Sequence, residues 1–445
     1  MMARSPLRRL GNAHDREILR LALPAFGALI AEPLFLLSDS AIVGHLGTAQ
    51  LGGLGVAGQA LATLVYLCVF LAYGTTAGVA RQVGAGDVRA AVRQGIDGMW
   101  LALAIGTVLA VVGWPLVPWL IDLFGASASV TPYARTYLAV SLLGIPGMLV
   151  VLAGTGVLRG LQDTRTPLLV SIGGFSGNLV LNLVFVLGLG WGVAGSAWGT
   201  VIAQTASAGV YVAVVLRAAR RHGTPVRPDL GGLRTAATAG VNLLLRTAAL
   251  RVVLIVGTSV AARMGDAEIA AYQVGFQVWT LLAFAHDAIA IAGQAITGRY
   301  LGASDTAGAR AATRRMVQWG LACGAVFLLG ILLVRPWLPG FFTSDDQVRD
   351  LLLVSLLLIA ALQPIAGVVF VLDGILIGAG DGAYLAATTL IATLVFLPAA
   401  LVAYGAGAGL VGLWLAIGLW MIARLITLAV RALGDAWLVT GAVRR

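Results

Sequence analysis

The chain contains no lysine: all 29 of its basic residues are arginine, spread over 445 positions. They sit in short segments between apolar runs, not in one stripe, which argues against a nucleic-acid-binding surface. An arginine-rich chain that is also rich in Ala, Gly, Leu and Val has the composition of a GC-rich genome. Cysteine is nearly absent. Cys68 and Cys323 both fall within apolar runs, so no disulfide framework is implied. Charged residues make up only 11% of the chain, against about 25% in soluble domains, and a single packed soluble core is excluded. The four histidines (14, 45, 222 and 286) are isolated and no metal-ligand spacing is visible. A P-loop is also missing, which argues against an ATP-driven pump. No cleavable leader is expected, because the first apolar segment is too long and lacks a small-residue cleavage site.

What is present is hydrophobic: 59% of the residues. The runs are continuously apolar and do not alternate, which predicts helices spanning a membrane and not strands of a barrel. Twelve spans are expected, near 16–43, 52–80, 93–121, 133–157, 166–188, 193–216, 236–262, 269–298, 312–334, 350–377, 384–404 and 409–432. Arginines cluster before span 1, between spans 2 and 3, 4 and 5, 6 and 7, and 8 and 9, and at the C-terminus. Alternate loops hold few, mostly beside acids. The positive-inside rule then places both termini and the central linker in the cytoplasm.

The two halves repeat. Gly47 pairs with Gly265, Gln59 with Gln277, Pro146 with Pro364 and Asp163 with Asp381, all at one constant spacing. "RQVGAGD" (81–87) matches "RYLGASD" (299–305) at that same spacing. The expected organisation is an N-terminal lobe of six helices (1–216), a cytoplasmic linker (217–235) with Gly, Pro and Arg, and a C-terminal lobe of six helices (236–445). An even number of spans per half gives both lobes the same orientation, and transporters built this way hold substrate near the midplane.

Ionisable groups within such spans are costly and face a cavity or a partner. Asp39 lies deep in span 1, two turns beyond Glu32. Desolvation favours the neutral form of a carboxyl group, so an acid at that depth can exchange a proton for a cation; the alternative is a structural Asp bonded to a neighbouring helix, with Ser38 or Ser40 helping. Asn178 and Asn182 share one face of span 5, as interhelical glue or as part of a site. Pro24 interrupts span 1, as a hinge or a fixed bend. In span 7, Arg246 is expected to snorkel and Arg251 to pair with an acid such as Asp287 or to contact an anionic substrate. Asp373 in span 10 serves helix packing or transport, and Asp97 is expected to be solvated near an interface.

"LALPAFGALIAEPLFLLSDSAIVGHLGTAQLGGLG" (21–55) resembles the first helix and following loop of the multidrug and toxic compound extrusion (MATE) family, in its DinF branch. "GVLRGLQDTRTPL" (156–168), "NLVLNLVFVLGLGWGVAGSAWGTVIAQ" (178–204) and "FVLDGILIGAGD" (370–381) resemble later segments, and the likeness covers about 16–435. The resemblance implies an all-α fold of twelve membrane helices in two tandem lobes around a V-shaped cleft. It implies a monomeric, non-enzymatic transporter in a bacterial inner membrane, with small organic cations as cargo. No cofactor is implied; an ion gradient drives export, protons in preference to sodium. The ion site of this branch maps onto Asp39, Asn178, Asn182 and Thr200, with Pro24 as the bending point. Some members carry Asp where this chain has Asn182, so Asp39 is the only carboxylate of that set, with Glu32 two turns away either sharing the proton or facing the linker of another helix. Phe35, Met148, Phe175 and Trp279 are the aromatic and thioether candidates for the substrate cleft. The alternatives are sodium-coupled drug export, or a flippase for lipid-linked precursors that binds pyrophosphate through Arg246 and Arg251.

Overall fold

The computed structural model describes residues 13–443, without the side chains of Ala13 and Glu32. Among these residues the structure is helical, with no strand. The helices are α1 (Ala13–Gly44), α2 (Thr48–Leu67), α3 (Phe70–Gly84), α4 (Val88–Leu123), α5 (Thr131–Leu142), α6 (Ile145–Gly160), α7 (Arg165–Asn182), α8 (Gly192–Arg221), α9 (Leu230–Met264), α10 (Asp266–Gly302), α11 (Thr306–Val334), α12 (Leu338–Phe342), α13 (Asp346–Gly378), α14 (Gly382–Gly405) and α15 (Gly409–Leu433). Among the described residues eleven helical segments are long and apolar enough to cross a membrane, and twelve when α5 and α6, bent by 53° at their junction, are taken as one broken span. The bend falls at Leu143–Gly144, where Pro146 has no N–H to donate back to Leu142. Large apolar side chains point outward along these helices, including Leu37, Val111, Leu329 and Leu394. A soluble chain would hide that much apolar surface, and lipid need not. This is a multi-pass membrane protein.

The repeat is visible in the backbone. Gly47 and Gly265 have φ of 138° and 154°, a region only glycine enters without strain. Asp87 and Asp305 cap α4 and α11 by accepting from the N–H of Ala90 (2.8 Å) and Gly308 (2.7 Å). Gly106 lies so close to Pro146 that an added Cβ would come within 2.6 Å of its Cα, and Gly324 has the same relation to Pro364 at the same distance. All these pairs keep the spacing that relates Gly47 to Gly265. Beyond α7 the spacing changes. The left-handed glycines of the next turn, Gly190 and Gly192, match Gly407 and Gly409, which is one position short of the earlier spacing. Between the two registers α7 runs on as a π-helical stretch, Leu183–Gly188. A π-bulge is a one-residue insertion in a helix, and here it is the residue by which the halves differ.

The chain forms two compact units. One comprises Gly27–Leu244; the other comprises the chain up to Phe26 and from Leu245 onward. The expected borders at 216 and 236 lay in the linker, whereas the observed ones fall inside α1 and α9. Phe26 and Leu244 are themselves separated by the spacing of the repeat, so each half gives the first part of its first helix to the other unit. Side chains account for the first transfer and tether the linker that leads into the second. In one unit Asp15 takes a bidentate bond from Arg315 (2.5 and 2.8 Å) and Glu17 pairs with Arg299 (2.5 Å). In the other, Arg93 donates to the carbonyls of Pro225 and Arg227 (both 2.8 Å), and Trp100 donates to that of Val226 (2.9 Å). These bonds strap the largely exposed linker along α4. Asp97 takes part in the strap. It is buried, not solvated, accepts from the Asp229 N–H (3.4 Å) and pairs with Arg93 (3.4 Å).

Candidate functional site

Within the Gly27–Leu244 unit, four helices converge on Asp39. The run around it is apolar enough to make α1 a spanning helix, so the side chain is carried into the interior, where it is 2% exposed. Its Oδ1 accepts from Asn182 Nδ2 (2.7 Å) on α7 and from Ser196 Oγ (2.5 Å) on α8. Its Oδ2 accepts from the Tyr137 hydroxyl (3.3 Å) on α5. A second tier follows one turn away: Asn182 Nδ2 also donates to Asn178 Oδ1 (3.0 Å), and Asn178 Nδ2 donates to Thr200 Oγ1 (3.3 Å). Thr200 in turn donates to the Ser196 carbonyl (3.1 Å). All six residues are buried.

The chemistry of this ring is unusual for a buried carboxylate. Each recorded partner of Asp39 is a neutral donor, and no guanidinium is among them. Tyr and Ser hydroxyls can donate to a carboxylate or accept from a carboxylic acid. Asn182 Oδ1, on the side of the amide away from Asp39, has no hydrogen-bond partner among the described residues. Gly199 makes room for this amide, since a Cβ there would collide with Asn182 Oδ1. The π-helical stretch begins at the next residue after Asn182 and sets the register in which α8 returns with Ser196 and Thr200.

The same positions in the other half carry little polar chemistry. In the register that precedes the π-helical stretch, Asp39, Tyr137, Asn178 and Asn182 become Gly257, Ser355, Phe396 and Ala400; in the register that follows it, Ser196 and Thr200 become Leu413 and Ile417. Phe396 and Leu413 are fully buried, and a Cβ on Gly257 would meet the Tyr272 hydroxyl at 2.7 Å. The repeat is packed shut where its counterpart is hydrogen-bonded.

The structure thus brings Asp39, Asn178, Asn182 and Thr200 together and adds Tyr137 and Ser196. Ser38 instead donates back to the Leu34 carbonyl (2.9 Å). Ser196 stands one turn before Thr200, and the same-face rule that links Asn178 with Asn182 would have found it. Tyr137 had no such signal beyond being a polar ring in span 4. Glu32 lies outside the described side chains. Pro24 lies inside continuous α1, just before the unit border at Gly27. Phe35 and Phe175 are half-buried, whereas Met148 is buried in core packing. Trp279, in the other unit, is buried with its ring 6.5 Å from that of Trp414.

Arg246 does not snorkel. It is buried and grips Asp373 through both its Nε (3.2 Å) and its Nη2, and Arg424 approaches the same carboxylate (3.6 Å). Asp373 sits between two guanidiniums, and all three side chains are buried. His286 bonds to Gln363 (3.3 Å) and packs edge-on against Phe327. Among the described residues no group of three or more His, Cys, Asp or Glu side chains is placed to hold a metal ion.

Similarity to known proteins follows the same outline. The family model described as MatE matches residues 24–184 and 231–402. DNA damage-inducible protein F of Escherichia coli is 30% identical over 379 residues, covering 82% of this chain and 81% of that protein. Protein DETOXIFICATION 43 of Arabidopsis thaliana is 29% identical over 477 residues, covering 93% and 89%. Among solved structures, a MATE in the bent conformation superimposes with a TM-score of 0.86 at 21% identity, over 97% of both chains. A MOP superfamily transporter from Pyrococcus furiosus does so with 0.84 at 21%, again over 97% of both.

Proposed function

Because the chain belongs to the MatE family, whose members are membrane transporters and not enzymes, we propose that it exports organic cations in exchange for protons, with Asp39 as the coupling acid. The observation that carries this reading is the ring around Asp39: a buried carboxyl group held only by neutral donors. Such a ring holds the charged and the protonated form by reversing hydroxyl roles, without an arginine that would lock the charge in place. Charged, the group attracts a cation; protonated, it releases it. Both ligands then bias one conformational equilibrium, and this is what coupling requires. Pro24, near the point where α1 passes from one unit to the other, is the hinge in this scheme.

A single carboxylate suffices to take up one proton, and α9 carries Arg246 and Arg251 in place of the further acids a second ion site would use, which supports the proton over sodium. The flippase alternative loses support, because Arg246 is committed to Asp373. The setting proposed is a bacterial inner membrane with both termini in the cytoplasm.

The test is efflux of a fluorescent organic cation from proteoliposomes, driven by an imposed pH gradient or by an imposed sodium gradient. The pH gradient is expected to drive transport in the wild type and to fail in Asp39→Asn. Equal drive by sodium at constant pH, or undiminished pH-driven transport by Asp39→Asn, would overturn the proposal.

A further inference from the structure

Where α1 begins, next to the first turns of α11, the unit holding the C-terminal half contains a cavity of about 340 Å³ lined by His14, Ala311, Arg314, Arg315 and Gln318. It lies in the unit that does not contain Asp39, so it is no part of the site above. Its back wall is closed by hydrogen bonds. Buried Asp15 receives Arg315 Nε and Nη2 (2.5 and 2.8 Å) and Trp319 Nε1 (2.8 Å), while Arg315 Nη1 donates to Gln318 (2.8 Å). Every nitrogen of Arg315 is therefore committed within the protein. The His14 ring stands edge-on to Tyr300.

Of the two arginines that line the cavity, one is left without an ion pair among the described residues. Arg315 is neutralised by Asp15, Arg299 by Glu17 and Arg310 by Asp435. Arg314 makes no ion pair among the described residues and lines the cavity with an exposed side chain. An uncompensated guanidinium beside an imidazole, over a hydrogen-bonded floor, suits a singly charged tetrahedral oxyanion.

What lies below identifies its source. Arg314 and Gln318 continue along one face of α11, at helical spacing, into Leu321, Leu329 and Leu333, which are between 50% and 69% exposed. Trp319, bonded to Asp15, and Tyr300, against His14, are amphipathic rings of the kind that mark the membrane–water boundary. A basic cavity at the boundary with an apolar lane running from it has the form of a phospholipid, head above tails. We infer that this cavity binds the phosphodiester of an anionic phospholipid, its acyl chains lying along that face of α11. A zwitterionic lipid fits less well, since its ammonium group would approach Arg314 and His14. The bound lipid would tie the bilayer to the start of α1, the helix that carries Asp39.

The experiment is native mass spectrometry of the full-length protein, purified in detergent and offered phosphatidylglycerol or phosphatidylcholine. The wild type should retain phosphatidylglycerol over phosphatidylcholine, and Arg314→Gln should lower that retention about fivefold, the factor one interfacial arginine contributes. Arg314→Lys should keep most of it. Ala311→Trp, which fills the cavity and leaves the charge, should lose it as well, so that a loss of general surface charge is told apart from loss of the site. Inorganic phosphate at millimolar concentration should not displace the lipid. Unchanged retention in Arg314→Gln, equal retention of phosphatidylcholine, or displacement by inorganic phosphate (which would mark a site for the free anion) would overturn the inference. Since the readout is bound lipid and not transport, it is independent of the function proposed above.

Discussion

Asp39 and Asp373 are both buried acids within membrane helices, yet their surroundings assign them opposite consequences when each is changed to Asn. Asp373 lies between Arg246 and Arg424. Removing its charge leaves two guanidiniums together without their shared carboxylate, and breaking a buried ion pair from one side costs about 3–5 kcal/mol. For a unit of roughly 200 residues each kcal/mol moves the melting temperature by about 2–4 °C, so Asp373→Asn should melt roughly 10 °C below the wild type. Asp39 has no cation to abandon. An Asn at that position keeps an oxygen for Asn182 and Ser196, and its amide nitrogen can donate to Tyr137, which turns its hydroxyl to accept. The cost is at most about 1 kcal/mol, the net worth of one hydrogen bond. The assay is thermal unfolding of the two purified variants in the same detergent, followed by tryptophan fluorescence, beside their transport rates. Asp373→Asn should lose stability first, with transport falling as the fold is lost; Asp39→Asn should keep its stability and lose proton-driven transport. The reasoning fails if Asp373→Asn melts with the wild type, or if Asp39→Asn is destabilised as much as Asp373→Asn.

Three further outcomes are expected. Gly199→Ala forces Asn182 off its bond to Asp39; overpacking of this kind costs about 1–3 kcal/mol, and proton-driven efflux should fall while Gly209→Ala, whose added Cβ meets nothing, leaves it unchanged. Deleting one residue from 183–188 removes the π-helical insertion and should abolish coupled transport while the protein still reaches the membrane; retained coupling would show that the register of α8 does not depend on it. Asp15→Ala removes the acceptor and should release Trp319 and shift its fluorescence to the red, at a cost of about 1.5–3 kcal/mol for a hydrogen bond to a charged group; an unchanged spectrum in a variant that keeps only Trp319 would contradict the bonding described.

The spans, the tandem repeat and the depth of Asp39 within its helix could be read from the sequence because each depends on local composition or a fixed spacing. Asn178 and Asn182 were legible as one helix face, and Thr200 by resemblance. Tyr137 was not, because nothing local shows that a tyrosine in α5 reaches an acid 98 positions earlier. Arg246 and Asp373 are 127 residues apart; hydropathy treats each as a lone costly charge, and only packing shows that they cancel. Asp97 misled for the same reason: its partner is the backbone of a linker that composition marks as solvated. The change of register after α7 escaped notice because the repeat was anchored on segments that all precede it.

The borders at Phe26 and Leu244 bear on how the protein is made. The unit that contains Asp39 is not complete at the end of α8; it lacks the opening turns of α9 until residue 244 has been synthesised. The other unit faces the reverse delay, for its contribution from α1 is among the first segments made and must wait for α10 and α11 to emerge before Asp15 and Glu17 meet their arginines. Insertion therefore proceeds with the early part of α1 unpartnered for most of translation. A gene cut at the linker would yield two fragments that each carry a helix segment belonging to the other, so neither is a finished folding unit, and recovery of activity would require both to be present in the same membrane while they fold.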